Sequence, residues 1–525
     1  MVSDPTRPEH PHRTSLEELG EWLDRVAPPT GHEHHDRADA SGDHLEDEEV
    51  AALASLDDVV VTGISLSSQR VRPGDVYAAL PGARTHGIAF AEAAVEAGAV
   101  AVLTDTLGAA RAPSDVWILE VDDPRSVLGR LAARVYGEPA TAMRMIGVTG
   151  TQGKTTTTRL LESGLEQVGV PAAVVGTIGT RVRGEDVKTV LTTPEAPDLH
   201  GLFAVMRERG VEVCAMEVSS HALVMGRVDG VVFDVAVFLN IGRDHLDFHT
   251  DLEDYFRAKA SLFTPERTRL GLVDVDDDHG RRLAAEATVP VRTFSAAGAD
   301  ADWRAEDVEV RADGSSFTVV TPDGTRLQAA CPLPGRFNVV NTLAGIAAAA
   351  EVGLDPVAVA AGIAAAGGVP GRLERVDAGQ DFVVVVDYAH KPDAVEAAIG
   401  ALRPLTDGRV IVVLGAGGDR DPGKRPIMGA VASRLADVLV VTDDNPRSED
   451  PAAIRAALLA GADGAAEVLE VGDRRSAIRE AVRTARPGDI VLVAGKGHET
   501  GQEIDGVVHP FDDREVAREE LACLQ

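Results

Sequence analysis

The chain has 525 residues, with 51 Lys and Arg against 84 Asp and Glu, giving a formal charge of −33. The length exceeds what one core organises and predicts three or four domains. The charge argues against a nucleic-acid backbone or an anionic membrane as the main partner, so anionic small ligands need cations gathered locally. Three cysteines, Cys214, Cys331 and Cys523, are widely spaced with no CxxC pair, which suits a reducing compartment. No apolar run approaches the ~18 residues of a membrane span, and residues 1–5 lack the basic and apolar regions of a signal peptide. A cytoplasmic protein without membrane insertion is expected, and a monomer.

Residues 1–13 are polar and Pro/His-rich and read as a disordered tail. Leu16, Leu19, Trp22, Leu23 and Val26 recur at helical spacing, opening a first domain over 14–140. Within it 31–49 reads as a polar loop, in which His32, His34, His35 and His44 sit in acidic, aperiodic surroundings that suit a solvated segment better than a metal site. Short apolar runs at 59–61, 100–103 and 116–119 and an Ala-rich helix over 90–97 make this a small α/β domain. From 141 to 370 strands and helices alternate, with apolar runs at 173–175, 211–216 and 235–238, predicting a mostly parallel sheet covered by helices. A Gly/Pro hinge at 367–371 leads to a third domain over 371–525. Its apolar runs at 382–387, 410–414, 438–441 and 490–494 read as a doubly wound, Rossmann-like sheet, with ligands expected at the strands' carboxyl ends.

The run 147–156, GVTGTQGKTT, follows an apolar segment and opens a helix. Its glycines let backbone N–H groups approach phosphate oxygens, the helix N-terminus favours negative charge, Lys154 reaches the β/γ-phosphates and Thr155 can ligate Mg²⁺. Gly150, Thr151, Gln152, Gly153, Lys154, Thr155 and Thr156 therefore read as an ATP seat. The first glycine of GxxxxGK[ST] is displaced by one, to Gly147 with Val148 in its place, which marks a subfamily. Glu217, directly after the apolar run ending at Met216, is a strand-end carboxylate suited to Mg²⁺, and His245 at the next strand end is a further candidate ligand.

With TGTQGKTT at 149–156, MEVSSHAL at 216–223, NIGRDHLDFH at 240–249, GRFNVVN at 335–341, DYAHKPDA at 387–394 and GGDRDPGKRP at 417–426, the sequence resembles the Mur ligase family over about residues 60–515. The resemblance implies a UDP-substrate domain, a central P-loop ATPase domain and a C-terminal amino-acid domain. It implies an ATP-dependent amide ligase working through an acyl phosphate, with Lys154, Glu217, His245, Lys259 and Arg372 as catalytic residues. One Mg²⁺ would be held through Thr155 and Glu217 and a second near His245, with Lys259 offering oxygen ligands as a carbamate. Asn338, Asn341 and Asp387 would meet the nucleotide, and Arg372 would reach the γ-phosphate across the hinge.

The resemblance also names substrates. Asp444, Asn445, Pro446 and Arg447 look like the DNPR signature of members that add meso-diaminopimelate to the D-glutamate of UDP-N-acetylmuramoyl-L-alanyl-D-glutamate. A guanidinium pairs bidentately with the distal carboxylate that lysine lacks. Arg420, Gly495 and Glu499 would complete that subsite. Leu66, Ser68, Ala83, Arg84, Thr85 and His86 would face the UDP group, and Thr192, Thr193, Ser219 and Arg227 the peptide carboxylate and phosphates. Gln69 stands where relatives carry Arg, and Met225 where some carry Gln, so neither is given a contact. The rival readings are the same ligase using L-lysine or another diamino acid, and a nucleotide-binding scaffold without turnover. Folylpolyglutamate synthase and cyanophycin synthetase share the phosphate loop, and residues 444–447 count against both.

Overall fold

The computed structural model describes residues 5–27, 55–189, 191–245 and 248–524. The four histidines and the expected polar loop over 31–49 lie outside the described residues. Strand β1 (Thr14–Ser15) pairs antiparallel with β2 (Val60–Val61), and β3 (Gly63–Ser65), β4 (Asp75–Ala78), β5 (Ala101–Thr104) and β6 (Trp117–Glu120) form a parallel sheet in that order. The helix Leu16–Val26 begins where its periodicity predicts, because the Ser15 side chain accepts from the Glu18 N–H.

The expected free tail over 1–13 is not what its described part forms. Arg7 makes a bidentate pair with the buried Asp75 at 3.1 and 2.8 Å and reaches the Tyr136 hydroxyl at 2.6 Å. The N–H groups of Glu9 and His10 both donate to Glu208. A Pro/His-rich composition signals disorder only when nothing across the fold receives its few charges.

The central sheet has eleven strands: β7 (Arg144–Thr149), β8 (Ala172–Val175), β9 (Thr180–Val182), β10 (Glu185–Val187), β11 (Val213–Glu217), β12 (Val235–Phe238), β13 (Gly271–Asp274), β14 (Val291–Ser295), β15 (Trp303–Arg311), β16 (Gly314–Val320) and β17 (Arg326–Cys331). Their spatial order is β10, β9, β8, β11, β7, β12, β13, β14, β15, β16, β17, parallel from β8 to β15 and antiparallel at both ends. The near-continuous apolar runs follow from burial on both faces. Ile146, Val148, Ala215 and Val237 join one core while Met145, Cys214, Met216 and Phe238 join the other. The helix Lys154–Gln167 crosses the helix Pro356–Ala365 at close range: a Cβ on Gly164 would meet Ile363 Cγ1 at 2.5 Å, and one on Gly362 the Gly164 carbonyl at 2.2 Å.

The third sheet contains β18 (Glu374–Val376), β19 (Val383–Asp387), β20 (Val410–Leu414), β21 (Val438–Val441), β22 (Glu467–Glu470) and β23 (Ile490–Ala494), ordered β18, β19, β23, β20, β21, β22 and parallel beyond β18. A hairpin, β24 (Gly501–Ile504) and β25 (Val507–Pro510), follows. In register, Asp387 and Leu414 both stand opposite Ala494, and Leu414 opposite Val441. The polar clusters that follow these strands therefore leave one edge together. Among the described residues no helix is long and apolar enough to cross a membrane.

Candidate active site between the central and C-terminal sheets

The phosphate loop lies between β7, at the middle of the central sheet, and the helix Lys154–Gln167. Gly153 has φ +88, and a Cβ there would meet Asn341 Oδ1 at 2.3 Å, so only glycine fits. With no side chain capping this helix, its first N–H groups are left for a ligand. Gly147 belongs elsewhere. It lies inside β7, where a Cβ would come within 2.9 Å of the Phe233 ring, so the displaced glycine is required by packing rather than by phosphate.

The loop is braced from the strand end after β12. Gln152 N–H donates to Asn240 Oδ1 at 2.9 Å, Asn240 Nδ2 returns a bond to the Gln152 carbonyl at 3.2 Å, and the Gly242 N–H donates to Thr151 Oγ1 at 2.8 Å. Lys154 Nζ donates to the carbonyls of Gly150 and Thr151 at 2.7 and 3.2 Å. Lys259, 1% exposed, donates to the same Gly150 carbonyl at 2.9 Å and stands 4.5 Å above the Tyr255 ring. Burial lowers the pKa of both lysines, with Glu217 opposing the shift at Lys154, and Lys154 itself pushing Lys259 further down.

Glu217 pairs in register with Val148, which sets its carboxylate beside the loop. Thr177 holds that carboxylate by its N–H at 2.7 Å and its hydroxyl at 3.1 Å. His245 adopts φ +53, lies 3.3 Å from Asp244 Oδ2, and is kept neutral by burial, which lowers its pKa to about 4. Asn338 and Asn341 are buried; Asn341 Nδ2 donates to Asn338 Oδ1 at 3.2 Å and Asn338 Nδ2 to the Pro334 carbonyl at 2.8 Å.

Among the described residues, two side-chain polar contacts bridge the sheets. Arg372 reaches Thr155 Oγ1 at 3.3 Å while its guanidinium lies 4.6 Å above the Tyr388 ring, and Lys391 makes an ion pair with Asp244. Gly371 at φ +64 is the permissive point before Arg372: a Cβ would fall 2.1 Å from the His498 nitrogen. Asp387 accepts from the N–H groups of Leu373 and Ala389, both at 2.8 Å, and burial raises its pKa against the pull of Arg372.

At the facing edge, Arg447 has φ +53 and is fixed by main-chain bonds to the hairpin: its N–H donates to the Glu503 carbonyl at 3.0 Å, and the Asp505 N–H to its own carbonyl at 2.8 Å. Its Nε donates to Glu503 Oε2 at 3.2 Å and Nη1 to the Gly418 carbonyl at 2.6 Å. Asn445 donates to Glu499 at 2.8 Å, and the fully buried Lys496 donates to both Asn445 Oδ1 and Glu499 at 2.9 and 3.1 Å. Gly495 at φ +119 passes so close to Asp444 that a Cβ would meet Oδ2 at 2.4 Å. Pro446 contributes its carbonyl, 1.9 Å from where a Gly418 Cβ would be. Arg420 is exposed and donates to the Asp419 carbonyl at 3.1 Å, with its Cγ and Arg447 Nη1 flanking Gly417. Asn445, Arg447, Glu499 and Glu503 share a cavity of about 970 Å³ with Arg159, Thr177, Arg181 and Lys188.

The remaining expected contacts fall around this cleft and on the first domain. Thr192 Oγ1 lies 3.1 Å from Thr177 Oγ1, and Thr193 Oγ1 donates to the Glu217 carbonyl at 2.8 Å. Ser219 caps its own short helix by accepting from Ala222, and Arg227 pairs with Glu195 at 2.8 Å while donating to Met225 Sδ at 3.5 Å. Leu66 packs on the first core, Ser68 begins a short 3₁₀ turn, and Ala83, Arg84 and Thr85 are exposed. His86 is engaged structurally, with Nε2 3.0 Å from Asp105 and Nδ1 accepting from Ile88. Gln69 is exposed.

Sequence reasoning missed Thr177, Lys391, Lys496, Glu503 and the wholly buried pair Arg474–Asp513 at 2.6 Å. Arg474 also donates to the carbonyls of Asp443 and Ala494, fixing the strand exits that carry Asn445, Arg447 and Glu499. Apart from the Lys496–Glu499 bond, these contacts span too much sequence for a local motif; the one available signal was a basic residue between Gly495 and Glu499.

Three family descriptions match: "Mur ligase family, catalytic domain" at 60–136, "Mur ligase middle domain" at 148–349 and "Mur ligase, glutamate ligase domain" at 371–497. The chain is 59% identical over 477 residues to the UDP-N-acetylmuramoyl-L-alanyl-D-glutamate--2,6-diaminopimelate ligase of Streptomyces avermitilis, covering 89% of this chain and 94% of that one. Its identity to the protein of the same name from Corynebacterium glutamicum is 50% over 476 residues, covering 88% and 92%. A solved structure of a protein with that name superposes with a TM-score of 0.67 at 32% identity, over 98% of this chain and 99% of the other.

Proposed function

The chain belongs to the Mur ligase family, and from that premise we propose that it is the ATP-dependent ligase that joins meso-diaminopimelate to the D-glutamate γ-carboxylate of UDP-N-acetylmuramoyl-L-alanyl-D-glutamate. The observation that carries the choice of amino acid is that Arg447 and Glu499 stand together on the wall of one cavity. The distal end of diaminopimelate is a zwitterion. Glu503 and Gly418 engage two of the five guanidinium donors of Arg447, so the rest are available to a carboxylate, while Glu499 offers oxygens to an ammonium. Lysine would supply the ammonium and leave the guanidinium unanswered.

The phosphate end uses charge. In a chain of net −33, Lys154, Lys259, Lys391 and Arg372 lie close enough to perturb one another, with Asp244 and Glu217 as the facing carboxylates. A triphosphate in that seat meets the helix N-terminus and these cations together. The γ-carboxylate of the peptide attacks the γ-phosphorus, giving an acyl phosphate and ADP. The amine of diaminopimelate then attacks the acyl carbon, forming the amide and releasing phosphate. Residues of the site position the reactants and offset the transferring charge. Arg372, coming from beyond the hinge, brings its cation to Thr155 only when the C-terminal sheet is docked.

The side chains present suit Mg²⁺. Among the described residues no three His, Cys, Asp or Glu side chains form a metal cage, and a Mg²⁺ carried on a triphosphate takes only one or two protein ligands. Thr155 and Glu217 are the groups that would hold it, with His245 beside a second, and the metal would supply charge neutralisation at the phosphoryl oxygens. Lys259 is proposed to act as its carbamate. Burial favours the uncharged amine, the form that attacks CO₂, and the product replaces a cation beside Lys154 with an anion. Asn338, Asn341 and Asp387 are assigned to the nucleotide, and Thr192, Thr193, Ser219 and Arg227 to the peptide. Leu66, Ser68 and residues 83–86 are assigned to the UDP group, with Gln69 left out.

The test is a label. Peptide substrate carrying heavy oxygen in its γ-carboxylate, turned over with ATP and meso-diaminopimelate, is expected to leave one labelled oxygen in the released phosphate. Amide formation with unlabelled phosphate would contradict the acyl-phosphate route, and no turnover with any diamino acid would contradict the ligase.

A further inference from the structure

Thr177 lies in the loop between β8 and β9 and holds both oxygens of one buried carboxylate: its N–H donates to Glu217 Oε1 and its hydroxyl to Oε2. A carboxylate accepts and does not donate, so the Thr177 hydroxyl hydrogen is committed to Glu217. The Thr192 hydroxyl, 3.1 Å from that of Thr177, is then the donor in their contact. A chain of hydrogen bonds of one sense runs from Thr192 through Thr177 to Glu217.

The loop is fastened where this chain needs it. Arg159 donates to the carbonyls of Ile178 and Gly179 at 3.1 and 3.0 Å. Gly176 passes so near that a Cβ would lie 2.3 Å from Glu217 Oε1. A side chain at 176 would displace the carboxylate, and a loop free of Arg159 would carry Thr177 away from it.

We propose that Thr177 is a positioning residue: it fixes the plane of the Glu217 carboxylate for the metal ion and couples that carboxylate to Thr192 on the peptide side. The proposal rests on the reading of Glu217 as a Mg²⁺ ligand. Thr177 occupies one lone pair on each oxygen and leaves the others to a further partner. Outer partners of metal-binding carboxylates contribute about 10-fold to 100-fold in affinity.

The experiment is Mn²⁺ binding to the full chain, followed by electron paramagnetic resonance with a non-hydrolysable ATP analogue, so that no turnover is required. Thr177→Val keeps the β-branch and the backbone N–H and deletes the hydroxyl. It is expected to raise the half-saturating Mn²⁺ concentration about tenfold, and Thr177→Ser to restore the wild-type value. Thr177→Ala carries the same expectation as Val should Val perturb folding. Unchanged Mn²⁺ affinity in the Val and Ala variants, whatever happens to the melting temperature, would overturn the proposal and leave the role of Glu217 standing. Wild-type protein that binds the analogue but no Mn²⁺ would overturn the reading of Glu217, and the proposal with it.

Discussion

Lys154 and Lys259 share one acceptor, the Gly150 carbonyl, and the shared anchor separates their roles. Two ammonium groups beside each other in a buried site repel, and the more buried one gives up its proton. If the neutral amine of Lys259 is converted to a carbamate, the pair becomes a cation facing an anion. Lys259→Ala is expected to lower kcat by about 100-fold. CO₂-depleted buffer is expected to lower wild-type activity reversibly, with bicarbonate restoring it. Because the amine must be unprotonated, acidification through its lowered pKa removes the carbamate, and activity falls as pH falls. Wild-type activity indifferent to CO₂ would contradict the modification. The placement of Lys154, Thr155 and Glu217 was legible in sequence because it is written in consecutive residues and strand ends. That of Thr177, Lys391 and Lys496 was not, since an ordinary Thr or Lys gains its role only from a partner 40, 147 or 51 positions away.

At the level of elements, strand ends decide where function lies. The four parallel strands β19, β23, β20 and β21 end in register, so four loops leave the C-terminal sheet side by side. Arg474 fastens two of those exits with a guanidinium that is 0% exposed and paired with an equally buried Asp513. Removing one partner of such a pair leaves a buried charge, and Arg474→Met is expected to destabilise the C-terminal unfolding transition by about 3–5 kcal/mol. Urea unfolding monitored by circular dichroism reads this; an unshifted midpoint would mean that water reaches Asp513. The buried parallel strands were legible because burial on both faces writes continuous apolar runs. The antiparallel arm β15 to β17 and the hairpin β24–β25 were not: burial alternates in β15 and β17 and is lost in Val507–Pro510, while the buried β16 opens on Gly and two Ser, so no long apolar run announces them. That hairpin is the element that fixes Arg447, so the residue was legible while its support was hidden.

Across the whole molecule, a strongly acidic chain gathers cations where two sheets meet, and the proposed amino-acid subsite lies in the cavity that Arg447 and Glu499 line. Arg372 ties the C-terminal side to Thr155 and Lys391 ties it to Asp244, so in the proposed reaction one docking would bring the amine donor to the acyl phosphate. The sequence conveyed the three-part α/β architecture and the order of the motifs. It did not convey that residues 5–13 clasp the first domain through Arg7, because Asp75 and Tyr136 are distant in the chain. The central claim is that Arg447 reads the distal carboxylate. The measurement is kcat/KM for meso-diaminopimelate and for L-lysine, by phosphate release, in wild type and Arg447→Met. The account predicts that wild type strongly prefers diaminopimelate and that the variant loses about 10-fold to 100-fold on diaminopimelate, with lysine little changed. A variant that keeps the wild-type preference, or a wild type that prefers lysine, would contradict it.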